Sequence, residues 1–275
     1  MLKKRILSLI LGFAFTIFVV LFTNIAVVNV VIGVFMAIAV YEFDRAFRLK
    51  DVHPLTDISF LSVVAMFAIN ILDYLGYISI PLTELYLYMF YPLVLLVLFI
   101  YYVLKHNKHT IMDLGATMLQ IFYCVFLFSF LINIYGLENG KILIWYVFIG
   151  SWATDIFAFC IGKLFGKHKF TSISPNKTIE GCIGGIVGGV LGFTIYTWVI
   201  NANFDMGLSI PFMIILGIIC SIVSQIGDLF ASSIKRYTGV KDFGDLLPGH
   251  GGILDRFDST IFVIPLIYMA FAWFI

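Results

Sequence analysis

Hydrophobic residues in this chain are gathered into long runs, and the polar residues fall mainly between those runs. A helix crossing roughly 30 Å of hydrocarbon needs about 20 mostly apolar residues, because lipid offers no partner to a backbone N–H or C=O and each must be satisfied inside the segment. Nine stretches meet that requirement, near residues 6–22, 25–43, 57–79, 84–104, 112–135, 142–162, 179–201, 208–231 and 259–275. The pattern predicts an all-α, polytopic integral membrane protein with about nine transmembrane helices. No repeat of intermediate length, no inverted pair of broken helices and no low-complexity linker divides the runs, so residues 1–275 read as a single transmembrane domain.

Composition excludes a soluble domain, since 61% of the residues are hydrophobic and 12% charged. A formal net charge of +1 carries no message about partners, and no nucleic-acid partner is expected from it. The placement of the charges is more informative. With the N-terminus cytosolic and the nine spans alternating, sixteen of the seventeen Lys and Arg residues fall on the inner side, and Lys141 alone falls outside. That is the segregation of the positive-inside rule. Lys3-Lys4-Arg5 and the apolar run after them resemble the start of a signal peptide, but no small-residue cleavage site follows, so the run is expected to stay as the first span. The four cysteines lie in apolar stretches without a C-x-x-C pair and are expected to be small buried hydrophobes.

The polar residues divide the chain unequally. Residues 1–140 form a motif-poor helical half: Asp73 sits toward the outer end of the third span, and the basic stretch from Arg45 to His53 serves as a topology determinant or touches anionic head groups. Residues 141–275 hold the candidate chemistry. In the eighth span Ser221, Ser224, Gln225, Asp228 and Ser232 fall on one helical face that cannot look at lipid. An ionisable group inside a span is a functional-site candidate, with a polar contact between helices as the plainer alternative. The sixth span repeats the pattern with Ser151, Thr154 and Asp155, and the seventh carries overlapping G-x-x-x-G registers from Gly181 to Gly192 that suit close helix packing. Ahead of the seventh span, Ser174-Pro175-Asn176-Lys177-Thr178-Ile179-Glu180-Gly181 reads as a turn and helix cap, or as a site where Lys177 meets a nucleotide phosphate.

The stretch from Ser232 to Asp258, SSIKRYTGVKDFGDLLPGHGGILDRFD, forms a cytosolic loop between the last two spans. It joins Lys235, Arg236 and Lys241 to a glycine turn around His250, and then to Asp255, Arg256 and Asp258. Lysine and arginine neutralise phosphate oxygens, and glycine lets backbone N–H groups approach an anion closely. Asp255 and Asp258, three residues apart, share a helical face from which a hard cation can be held. The segment Gly162–His168 imitates a P-loop but has one residue too few between its glycines and lacks Ser or Thr after the lysine.

Residues Ser232 to Asp258 resemble the signature of the phosphatidate cytidylyltransferases, or CDP-diacylglycerol synthases, and SPNKTIEG with the Asp155 region resembles that family's second patch. The motif-bearing likeness covers about residues 150–275, while the first half agrees only in being hydrophobic and multi-spanning. The resemblance implies a Mg²⁺-dependent transfer, open to a second cation, in which a phosphate oxygen of phosphatidate attacks the α-phosphorus of CTP and pyrophosphate leaves. It assigns Asp228, Asp255 and Asp258 to the metal and Lys235, Arg236, Lys241 and Arg256 to phosphates, with Lys177 contacting either substrate and His250 donating to phosphate or handling a proton. Ser232, Gly251, Gly252, Asp155 and Glu180 complete the implied substrate site. Such a protein would sit in the inner membrane with its site facing the cytosol. A cation-coupled transporter using Asp155 and Asp228, and a CTP-dependent lipid kinase, are the rival readings. The glycine face of the seventh span leaves open a homodimer or internal packing.

Overall fold

The computed structural model describes residues 14–77, 89–246 and 251–273. Among them the chain is all-α apart from one isolated antiparallel bridge, Lys169 to Thr178. Helix α1 covers residues 14–22, followed by α2 (Ile25–Arg48), α3 (Thr56–Tyr74), α4 (Tyr91–Leu104), α5 (Ile111–Gly136), α6 (Trp145–Phe165), α7 (Ile179–Phe204), α8 (Ile210–Thr238) and α9 (Thr260–Trp273). Among the described residues six segments are long and apolar enough to cross a membrane: α2, α3, α5, α6 with the turn Gly140–Leu143 before it, α7 and α8. Helices α4 and α9 are apolar but shorter. The protein is therefore an all-α polytopic membrane protein. The first predicted span, and the start of the fourth, lie partly outside the described residues.

The largest departure from the predicted boundaries is in α8, which runs seven residues past the expected end at 231. Hydropathy falls at Ser232, but the intrahelical hydrogen bonds continue through polar residues. Twenty-nine residues of α-helix are about 44 Å long, against roughly 30 Å of hydrocarbon, so the polar C-terminal turns reach beyond the apolar layer. The faces of α8 separate as expected: Ser221, Ser224 and Gln225 are buried, whereas Ile218, Ile222 and Ile226 are exposed where lipid would lie. All four cysteines are free, but Cys160 is exposed on α6 among outward-facing phenylalanines, so the expectation that every cysteine is buried fails there.

The expected single domain is organised as two compact units, Met1–Gly136 with Thr238–Arg256, and Leu137–Tyr237 with Phe257–Ile275. Most of the signature loop groups with the N-terminal helices. In this unit a polar ladder ties α2, α3 and α5 together. Ser59 donates to Gln120 (2.6 Å), Gln120 donates to the Val40 carbonyl (2.8 Å), and the Leu55 N–H donates to Thr117 (2.7 Å). Each polar side chain is buried and partnered, which removes the penalty for placing it among apolar neighbours. Helix α5 contains a π-helical turn at Phe122–Phe126, opposite the α2 carbonyl of Ala39 that Cys124 faces.

In the other unit α6 and α7 pack along the glycine stripe. A methyl group added at Gly184 would lie 2.5 Å from Cβ of Ile161, and one at Gly188 would overlap Phe157. These glycines thus serve packing inside the chain. Gly184→Ala is expected to lower the detergent-solubilised unfolding temperature by several degrees, corresponding to about 1–3 kcal/mol of overpacking. Gly115→Ala, where nothing lies within 4 Å, is expected to be neutral or stabilising. A thermal scan in micelles compares the two.

Candidate active site

The entry to α7 is shaped by a short folded segment. Phe170 N–H donates to the Lys177 carbonyl (3.0 Å) and Ile179 N–H to the His168 carbonyl (2.9 Å), so residues 168–179 close into a narrow loop. Thr178 caps α7 by accepting from the Gly181 N–H (3.1 Å). Glu180 accepts from the N–H groups of Lys167 and His168 and from the His168 ring (2.6 Å). Both halves of the cap reading hold, and Glu180 organises the loop through those bonds. The result is that Lys177 points across to α8, where its ammonium meets Asp228 Oδ2 at 2.6 Å and the Gln225 carbonyl at 3.3 Å.

A second ammonium–carboxylate pair stands at the break between the last helical segments. Lys235, near the C-terminal end of α8, lies 3.7 Å from Asp258 Oδ2, while Asp258 Oδ1 accepts from the Ser259 N–H (2.8 Å). The Ser259 hydroxyl donates to Asp155 on α6 (3.0 Å), and Thr260 donates to Ser151 (3.0 Å). Four segments of one unit therefore deliver Asp155, Asp228 and Asp258 to one neighbourhood together with Lys177 and Lys235. Burial lifts the Asp258 carboxyl above the usual carboxylate range, and the negative charge of Asp228 adds to the lift, while the Lys235 ammonium opposes it. Three carboxylates against two ammonium groups leave the cluster favourable to a further cation.

Mg²⁺ is held through one or two carboxylates and completes its shell with water and substrate phosphates. Asp228 and Asp258, neighbouring hard-oxygen donors each already facing an ammonium, fit such a shared ion. Among the described residues no three His, Cys, Asp or Glu side chains gather closely enough to enclose a metal unaided. A polyphosphate would have to supply the remaining ligands.

Asp255 has a different setting in the unit that contains the N-terminal helices. It is 7% exposed, and its Oδ2 accepts from the N–H groups of Phe243 (2.7 Å) and Gly252 (3.0 Å), pinning the two ends of the signature loop together. Gly251 adopts φ +80°, where a side chain would be strained, and a methyl group there would press on the Asp255 carboxylate. Arg236, Lys241 and Arg256 are exposed, and Ser232 is half-buried. His250 lies outside the described residues.

The chain matches the pattern of the cytidylyltransferase family over residues 3–274. It belongs to that family. Two relatives named phosphatidate cytidylyltransferase are each 41% identical, one from Staphylococcus haemolyticus over 60% of this chain and 62% of its own length, the other from Bacillus subtilis over 62% and 63%. Relatives of the same name from Staphylococcus epidermidis and Staphylococcus aureus are 40% identical over 166 residues. The chain thus spans less than two thirds of the length of these relatives.

For this cytidylyltransferase-family chain, the residue the sequence reading missed is Glu42. It lies in the half to which no chemistry was assigned, yet both of its carboxylate oxygens reach the signature loop, accepting from Ile253 N–H and Leu254 N–H at 2.9 Å each. One signal was available, a glutamate placed just inside the end of the second apolar run, ahead of Asp44 and Arg45. The Lys177–Asp228 pair generates a prediction independent of turnover. Lys177→Met and Asp228→Asn, made singly and together, should show a coupling of about 1 kcal/mol or more in micelle unfolding, because the double variant relieves the lone charge that each single leaves.

Proposed function

We propose that this chain transfers a cytidylyl group from CTP to phosphatidate, yielding CDP-diacylglycerol and pyrophosphate. The observation that carries the reading is the meeting of Lys177 with Asp228 and of Lys235 with Asp258, within one helical unit of a cytidylyltransferase-family chain. Relatives of that named activity support the choice of substrates. Both reactants are strongly anionic, so the first task is to hold them together against their own repulsion. Lys177 and Lys235 bring positive charge to the carboxylate cluster, and the exposed Arg236, Lys241 and Arg256 would take up the outer phosphates.

The bond that forms joins a phosphatidate phosphate oxygen to the α-phosphorus of CTP, and the α–β bridging bond breaks with its electron pair going to pyrophosphate. A phosphomonoester has a second pKa near 6, so the attacking oxygen is largely ionised at neutral pH, and the chain need not provide a general base. Its work is positioning and charge neutralisation. Asp228 and Asp258 would hold Mg²⁺, which when bound would supply neutralisation of the triphosphate charge, while Asp255, which the signature also implies as a ligand, holds the backbone of the loop at Phe243 and Gly252. Ser232, Asp155, Glu180 and the Gly251–Gly252 turn would shape the surrounding site, and His250 would donate to a phosphate.

Location follows from the substrates, because diacyl chains stay in the leaflet and CTP arrives from the cytosol. The basic residues around the cluster fall on the side that the positive-inside rule assigns to the cytosol, in keeping with a site at the inner face of the cell membrane. Purified protein with phosphatidate and CTP should put cytosine-ring label into the lipid phase and release γ-phosphate label as pyrophosphate, and EDTA should stop both. Asp228→Asn and Asp258→Asn should each lower kcat by at least about 100-fold. Transfer of γ-label alone to lipid would identify a kinase instead.

A further inference from the structure

Glu42 is 3% exposed and sits on α2 between Val40 and Phe43, both fully buried. A carboxylate in such a place is costly unless its oxygens are met by donors. Its donors come from the signature loop, through the consecutive N–H groups of Ile253 and Leu254. The loop's glycines make room for it, because a methyl group at either Gly244 or Gly252 would collide with the Glu42 carboxylate. Neither glycine has a positive φ, so the requirement there is space. One helical turn on, Arg45 reaches Asp245 of the same loop at 3.8 Å, an exposed pair worth little alone. Asp255 accepts from Phe243 and Gly252, and Glu42 from Ile253 and Leu254, so the two acids hold the chain on either side of residues 244–251.

We propose that Glu42 is a positioning residue of the reaction: with Gly244 and Gly252 packed against its carboxylate, it holds the backbone at Ile253 and Leu254 and so sets Gly251 and Arg256 for phosphate binding. This rests on the cytidylyl-transfer reading for its kinetic consequence, but not for its structural one. Glutamine at this position has nearly the same shape but only one acceptor oxygen, so its NH₂ would face a backbone N–H and one of the two bonds to Ile253 and Leu254 would be lost.

Two measurements on the full chain in micelles test this, hydrogen exchange followed by mass spectrometry and steady-state turnover with CTP and phosphatidate. Glu42→Gln should speed exchange in peptides covering 243–255 and leave those of α7 and α8 unchanged. It should lower kcat by about 10- to 100-fold with little change in KM for phosphatidate, as misplacement of a catalytic loop does. Gly252→Ala should reproduce both effects in the native background and add little to Glu42→Ala, because the carboxylate it would strike is gone. Unchanged exchange at 243–255 in Glu42→Gln, native turnover despite faster exchange, or full additivity of Gly252→Ala with Glu42→Ala would overturn the assignment. If Glu42→Gln does not fold, Gly252→Ala and its pairing with Glu42→Ala decide the matter. If the unaltered chain transfers no cytidylyl group, the functional reading fails while the exchange data still report whether Glu42 holds the loop.

Discussion

A carboxylate withdrawn from water has to be answered by positive charge or by N–H donors, and that constraint organises the polar parts of this membrane protein. Asp228 is answered by Lys177 and Asp258 by Lys235, while Asp255 and Glu42 are answered by backbone N–H groups. The two solutions have different consequences. Acids met by ammonium groups form a cluster whose pairs can rearrange, because a lysine side chain can turn to another partner without moving the backbone. Acids met by N–H groups lock the chain path, since the donors belong to the loop itself.

Glycine provides the complementary device. On α7 it lets the helix approach α6 closely, with Gly184 against Ile161 and Gly188 against Phe157, so that Lys177 at the head of one helix and Asp155 on the other are held on rigid elements. In the signature loop it makes space for carboxylates, as Gly244 and Gly252 do for Glu42 and Gly251 does for Asp255. The glycines of the motif are therefore explained in part by the acids behind them, besides any closeness to an anion. Both devices fix charged side chains in place, as the proposed reaction between two polyanions would require.

Much of this was legible in the chain itself. Long apolar runs define the helices, because lipid leaves the backbone no other way to satisfy its hydrogen bonds, and an aspartate on the buried polar face of α8 marks a site by its cost alone. The motif from Ser232 to Asp258 names the chemistry by residue type and spacing. Local rules also captured the cap at Thr178, since a cap depends on neighbours within one turn.

Only the tertiary structure decided what each acid touches. Spacing alone made Asp255 and Asp258 equivalent, one turn apart, but the chain changes units between them, so one holds a loop and the other meets Lys235. Glu42 lies more than 200 positions from the N–H groups it accepts, and no local pattern announces a partner so distant. Periodicity and propensity report the neighbours a residue has along its own helix, whereas the balance of a buried charge is settled by whatever the fold brings against it.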